Sequence, residues 1–325
     1  MKKFTHFNSR TVAEASSLLA DYGKGANIIA GGTDLLGKMK DDILPKYPEA
    51  LINILTIAGL DQIQENGGKL QIGATALLED IATNTLIKEK YGALAQAAEK
   101  TASPHIREMG TLAGNLCQDI RCWYYRNANN RFPCLRKGGG RCYAIEGDNR
   151  YHSIFGGTVE RGCYAVHPSD TAPAVIALDA EIVTSKRRIK SDDFFKAGVR
   201  KTTLLDPDEI VTGVEFPEPA AGSRSAFIKF AIRKSIDFPI VNCAAAVTLD
   251  GGVVTSARVC LNAVHIKPYR AGQAEVAVIG KPLNEETADA AGQAVADTAK
   301  PMTDNAYMVQ IARTLVKRTL LACQP

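Results

Sequence analysis

Five of the eight cysteines of this 325-residue sequence, Cys117, Cys122, Cys134, Cys142 and Cys163, fall within residues 117–163. Where thiols stay reduced, a cysteine cluster is more often a metal centre than a disulfide framework. Three further segments carry residue types that suit anion or cofactor binding: Ile29-Ala30-Gly31-Gly32-Thr33-Asp34-Leu35, Gly110-Thr111-Leu112-Ala113-Gly114-Asn115-Leu116 and His167-Pro168-Ser169-Asp170. Paired glycines between a strand and a helix let backbone amides approach a pyrophosphate, and the helix N-terminus favours its charge. The first segment lacks G-x-G-x-x-G spacing, so a Rossmann fingerprint is not met. Taken singly, each segment also reads as ordinary structure: a tight turn at Gly31-Gly32, a helix N-cap at Asp170.

The elements that must position these residues follow from local pattern. Thr11 with Glu14 forms a capping box that opens a helix through Ser16 to Leu19, and Gly23 stops it. A strand at Asn27 to Ala30 runs into the glycines, and Leu35 to Lys40 starts another helix. Short strands are expected at Leu51 to Ile54 and Lys69 to Ile72, with mostly helix from Ala76 to Thr101. Residues 117–163 hold seven glycines, eight Lys/Arg and four Asp/Glu and show no regular period, as expected of a functional loop. Regular structure returns at Thr171 to Leu178 and as a strand at Glu181 to Thr184. Turn formers at Pro217 to Gly222 mark a domain boundary. Beyond it, strands at Ala226 to Ile232, Val241 to Leu249 and Val253 to Val264 are joined at Asp250-Gly251-Gly252, and helices at Glu285 to Thr298 and Asp304 to Leu321 end the chain.

Composition narrows the class. With 46% hydrophobic and 23% charged residues this is a globular chain of two or three domains, and disordered, coiled-coil and collagen-like chains are excluded. A formal net charge of +4 gives no argument for nucleic acid or an anionic membrane. The longest uncharged apolar run, Pro239 to Leu249, is well short of the roughly 20 residues of a membrane span, and Met1 to Asn8 has no secretory h-region. A soluble, cytoplasmic protein is expected, or a periplasmic one if a partner with a twin-arginine signal exports it.

Four ordered motifs carry a family resemblance: A-G-G-T-D-L at 30–35, G-T-L-A-G-N at 110–115, S-D followed by Ala-Pro-Ala at 169–174, and D-P-D-E-I-V at 206–211. Together they resemble the FAD-binding medium subunit of the molybdenum hydroxylases, the group of xanthine dehydrogenases, aldehyde oxidoreductases, carbon monoxide dehydrogenase and 4-hydroxybenzoyl-CoA reductase. The resemblance implies an α+β protein: a two-lobed FAD-binding domain over 1–217, with lobes of about 1–57 and 58–217, and a C-terminal α+β domain over 222–325. It also implies FAD contacts at Ile29, Ala30, Gly31, Gly32, Thr33, Asp34 and Leu35, at Thr111, Gly114 and Asn115, and at Ala102, Asp170, Ile210, Val211 and Lys229.

About forty residues intervene between the second glycine motif and Ser169-Asp170 where most of that family have a short connection. This four-cysteine insertion resembles the 4Fe-4S loop of 4-hydroxybenzoyl-CoA reductase and of a periplasmic aldehyde oxidoreductase. Cys122, Cys134, Cys142 and Cys163 are the ligands that it implies, with Arg121, Arg136, Lys137 and Arg141 offsetting cluster charge. Cys117 is assigned to packing beside the flavin, and Cys243, Cys260 and Cys323 to inert core. The rival for the four thiolates is a structural zinc ion, although no C-x2-C knuckle is present. His105, His152 and His167 show no metal-ligand spacing. Trp123-Tyr124-Tyr125 either covers the cluster or is core, and Lys186-Arg187-Arg188 with Lys190 is a solvated face or a docking patch. The function implied is electron transfer between a partner 2Fe-2S subunit and an external carrier (NAD, ferredoxin, flavodoxin or quinone), with substrate chemistry on a large molybdopterin subunit. A zinc-stapled binding module and a self-contained flavin oxidase are the alternatives.

Overall fold

The computed structural model describes residues 1–158 and 162–325; positions 159–161 of the expected insertion lie outside the described residues. β1 (Thr5–Asn8) leads to α1 (Val12–Tyr22), whose start is set by Thr11: its hydroxyl accepts from the Glu14 amide at 3.1 Å. The Glu14 carboxylate accepts from the Arg10 amide (2.7 Å), so the box closes one residue earlier than the Thr11–Glu14 spacing predicts. β2 (Ala26–Ile29), α2 (Leu35–Lys40) and β3 (Ala50–Asn53) complete a parallel sheet of order β1-β3-β2. In this order the chain leaves β2 at the sheet edge and delivers the first glycine loop to the surface.

The second unit is a five-stranded antiparallel sheet of order β4-β5-β8-β6-β7, formed by β4 (Ile63–Asn66), β5 (Lys69–Gly73), β6 (Glu181–Thr184), β7 (Arg188–Lys190) and β8 (Val211–Pro217). The stretch read as one helix from 76 to 101 is three: α3 (Leu78–Thr83), α4 (Thr85–Lys90) and α5 (Gly92–Glu99). Asn84 breaks it by leaving helical backbone and capping α4, its side chain accepting from the Ile87 amide. Two short helices, α6 (Pro104–Arg107) and α7 (Leu112–Leu116), then carry the second glycine motif. α8 (Thr171–Ala177) is buried along its whole length in the core with Leu94, Leu112 and Phe216, and α9 (Ser191–Phe194) follows β7.

The C-terminal unit is an antiparallel sheet of order β12-β11-β10-β9, from β9 (Ser223–Phe230), β10 (Val241–Asp250), β11 (Val253–Asn262) and β12 (Tyr269–Arg270). It is covered by α10 (Gly272–Val278), α11 (Glu285–Ala296) and α12 (Tyr307–Leu321). β9 stops two residues short of the expected Ile232, and residues 231–239 form an irregular loop beside the first two units. α12 begins at Tyr307 rather than Asp304, because Asn305 is engaged in holding the insertion: its side-chain amide donates to the His152 carbonyl at 2.9 Å. Among its described residues the insertion has no strand and no helix beyond 3-10 turns at Ala128–Asn130 and Leu135–Lys137. Ile154, fully buried in the C-terminal core, pins it in place. No helix among the described residues is long and apolar enough to cross a membrane.

Candidate functional site

The two glycine loops touch. A Cβ on Gly31 would lie 1.7 Å from the Met109 carbonyl oxygen, so the first loop can rest on the second only with glycine there. The neighbouring Gly32 has φ 70°, the left-handed turn expected of the pair. In the second loop the Thr111 hydroxyl accepts from the Gly114 amide (3.2 Å) and caps α7. Asn115 then gathers the third motif: its Oδ1 accepts from the Ser169 hydroxyl (2.5 Å) and the Thr171 hydroxyl (2.7 Å).

Asp170 occupies the N-cap position of α8 but does not cap it; that bond is supplied by Ser169, whose Oγ accepts from the Ala172 amide. The Asp170 carboxylate instead accepts from Lys229 Nζ and Asn242 Nδ2, both at 2.7 Å. Burial raises its pKa, and Lys229 opposes that rise. The cap reading of Asp170 is therefore replaced by a buried ion pair that ties the second unit to β9 and β10.

All fifteen residues expected to contact FAD line one cavity of about 430 Å³. Ala102 enters it at φ 48°, its carbonyl accepting from the amide of Ile236, which itself sits at φ 62°. A β-branched residue at positive φ costs roughly 1–3 kcal/mol, so this wall is held under strain by its surroundings. Lys38, Gln118, Arg121 and Ile236 to Phe238 also line the cavity and were not expected there. The irregular 231–239 loop has no local signature that could have announced it, and Arg121, expected as a charge beside the cysteines, reaches the cavity as well. Cys117 lines the cavity too.

A charged network joins this cavity to the cysteine insertion. Asp34 accepts from Arg126 at 2.7 Å and from the Asp119 amide at 3.0 Å. Asp119 in turn accepts from Arg136 (3.2 Å), Lys38 (3.3 Å) and the Tyr125 hydroxyl (2.6 Å). Burial raises the pKa of both carboxylates, but the surrounding cations outweigh it and hold both below the ordinary range. Arg126 also donates to the carbonyls of Ile120 and Asp119, so the insertion is clamped to the first glycine loop through two acids.

Cys122, Cys134 and Cys163 pack in one cluster with Ile120, Tyr125, Ala165 and Ile266. Cys142 lies near enough to add to the upward pull on the Cys122 and Cys163 thiols, which burial pushes to about 12 and about 11. Thiols so placed ionise only when a metal replaces the proton. Lys137 sits beside them, its charge felt by Cys134 and Cys122, and its buried Nζ has no hydrogen-bond partner among the described residues. An orphaned ammonium beside Cys134 and Cys122 is what an anionic thiolate cluster would satisfy. His152 Nε2 is 3.2 Å from Cys122 Sγ, a contact that spacing gave no hint of. No group of three or more His, Cys, Asp or Glu among the described residues is drawn together as around a single metal ion. Of the aromatic trio, Tyr125 is core and Trp123 is exposed. Cys243, Cys260 and Cys323 are fully buried, as expected of inert thiols. In the basic run, Arg187 pairs with Glu209 and Arg188 with Glu215.

The FAD binding domain of molybdopterin dehydrogenases matches residues 2–219, and the CO dehydrogenase flavoprotein C-terminal domain matches residues 226–323. The chain is 36% identical to the aldehyde oxidoreductase FAD-binding subunit PaoB of Escherichia coli strain K12, over 98% of this chain and 96% of that one. It is 30% identical to the nicotinate dehydrogenase FAD-subunit of Eubacterium barkeri, over 93% and 88%. Among solved structures, carbon monoxide dehydrogenase of Hydrogenophaga pseudoflava superposes with a TM-score of 0.77 at 27% identity, covering 99% of this chain and 97% of that one. A cavity framed by two touching glycine loops, a matching FAD-domain signature and full-length relatives lead to one conclusion: the chain is an oxidoreductase subunit that belongs to the FAD-binding medium subunits of the molybdenum hydroxylase family.

Proposed function

We propose that this chain binds FAD in the 430 Å³ cavity and a 4Fe-4S cluster on Cys122, Cys134, Cys142 and Cys163, and transfers electrons within a hetero-oligomeric molybdenum hydroxylase of the aldehyde oxidoreductase, xanthine dehydrogenase or 4-hydroxybenzoyl-CoA reductase type. Its partners in this reading are a large molybdopterin subunit, where substrate is oxidised, and a small 2Fe-2S subunit; an external carrier takes the electrons. The complex works in the cytoplasm, or in the periplasm when a twin-arginine partner exports it.

The observation that carries the reading is the clamp: the loop expected to hold the flavin pyrophosphate and the segment bearing the cysteines share Asp34, Arg126 and Asp119. Two redox groups held by one buried network keep a fixed separation. FAD, when bound, supplies a centre able to exchange one or two electrons. The chain's own part is to bind and shield it. Gly31 and Gly32 leave backbone bare for a pyrophosphate, and the start of α2 adds favourable charge. The Asp170–Lys229 pair fixes buried charge at the cavity wall. What favours a cubane over one zinc ion is the ligand spacing, since Cys122, Cys134, Cys142 and Cys163 form no C-x2-C knuckle.

Cys134→Ser tests the reading. The variant should retain FAD but lose the broad iron–sulfur absorbance, iron and acid-labile sulfide, and should exchange electrons with carriers more slowly. Unchanged iron content and rates would remove Cys134 from the ligand set.

A further inference from the structure

A second cavity, of about 480 Å³, adjoins the flavin cavity and shares Arg121, Pro168, Asp237 and Phe238 with it. Another part of its wall carries Cys122 and His152, so it touches both the flavin cavity and the cysteine centre. Its size falls within the range of small-molecule sites, roughly 300–1,000 Å³. Trp123 and Tyr151 form an aromatic pair, centroids 5.1 Å apart, and Ile240 and Pro239 add aliphatic surface. The rim is unusually apolar for an exposed surface: Ile232 is 70% exposed, Phe238 46% and Trp123 43%.

The charges in this cavity are largely committed. Arg126 is bonded to Asp34, and Arg233 to Asp237 at 2.5 Å. A dinucleotide pyrophosphate calls for several free cations, and these two are already paired. Arg121 is the exception. Its guanidinium stacks on the Phe238 ring at 3.6 Å, its nearest carboxylate contact is Asp34 at 3.9 Å, and its buried Nε has no partner among the described residues. Aromatic walls with one spare cationic donor suit a flat, uncharged molecule bearing an oxygen acceptor.

We infer that this cavity is the binding site of a small neutral quinone serving as the external carrier, an inference that rests on the FAD reading above. The bound quinone takes two electrons and two protons, both of its C=O groups becoming C–OH, as reduced flavin returns to its oxidised form.

Trp123 is the only tryptophan of the sequence, so its emission reports on this cavity. Menadione titrated into the full-length, FAD-loaded protein should quench that emission along a saturable curve, after correction against free N-acetyltryptophanamide. Ile232→Asp, on the exposed rim, should weaken the apparent Kd at least tenfold while FAD content stays the same. Val276→Asp, on a distant and equally exposed position of α10, should leave the Kd as it is. FAD-loaded protein that shows only linear quenching, or equal Kd values in both variants, would overturn the quinone site and leave the flavin reading intact. Protein that binds no FAD would remove that reading and the acceptor role together.

Discussion

Gly31→Ala and Gly37→Ala lie six positions apart in one short segment and should have opposite consequences. At Gly31 a methyl group would be placed 1.7 Å from the Met109 carbonyl oxygen and 2.6 Å from its carbon. Both are backbone atoms, just before the second glycine motif, so no side-chain rotation relieves the clash. The loops must separate, and overpacking of this kind costs roughly 1–3 kcal/mol, sometimes more. Because the seam between the loops lines the flavin cavity, most of that cost should appear in FAD binding. At about 1.4 kcal/mol per decade, FAD affinity should fall roughly 5- to 150-fold. Gly37 is inside α2, and a Cβ there meets nothing within 4 Å. Alanine should therefore add about 0.5–1 kcal/mol of stability and leave FAD affinity unchanged. The assay is a titration of flavin-stripped protein with FAD, followed by the quenching of flavin fluorescence, with urea unfolding of each variant alongside. Gly31→Ala protein binding FAD as tightly as the parent would refute the idea that the two loops meet around the cofactor.

Two other outcomes follow from the charged network and the buried histidines. Asp119→Asn leaves Arg136 and Lys38, whose side chains are 5% and 11% exposed, without their shared carboxylate. Losing one partner of a buried ionic network costs roughly 3–5 kcal/mol; hydrogen exchange should rise across residues 119–137 while the C-terminal sheet stays protected. His167, buried against Leu116 and Asn262, has its pKa lowered to about 4 by desolvation. With an unfolded value near 6.5, the unfolded chain takes up a proton first as pH falls. Stability should be full above about pH 6.5 and should drop toward pH 4 by about 3 kcal/mol from this residue. Urea midpoints across pH 4–8 measure the slope, and His167→Gln should flatten it.

How much of this was legible in the sequence depended on how local the cause was. The helix at Thr11, the turn at Gly251-Gly252 and the amphipathic last helix each rest on interactions within a few residues, and each was readable. The break at Asn84 was hidden because a capping side chain competes with an otherwise good helical pattern. The N-cap alternative for Asp170 fails for a non-local reason: its partners, Lys229 and Asn242, are 59 and 72 positions away. The glycine motifs were found by type and order, yet the close approach of Gly31 to Met109 belongs to the packing of two loops and leaves no trace in either one. Asp119 and Arg126, which join the cavity to the cysteines, lie in a segment without periodicity, where nothing local sets them apart from its other charges. Ile236 and Phe238 reach the cavity only because β9 ends early, and nothing in their own neighbourhood encodes that.

The central claim is that one chain holds a flavin and an iron–sulfur cluster side by side. Iron, acid-labile sulfide and FAD measured on the same anaerobically purified wild-type sample test it most directly. The account predicts about four irons and four sulfides for each FAD, as a single cubane requires. Stoichiometric FAD with zinc, or with no metal, on intact cysteines would contradict it.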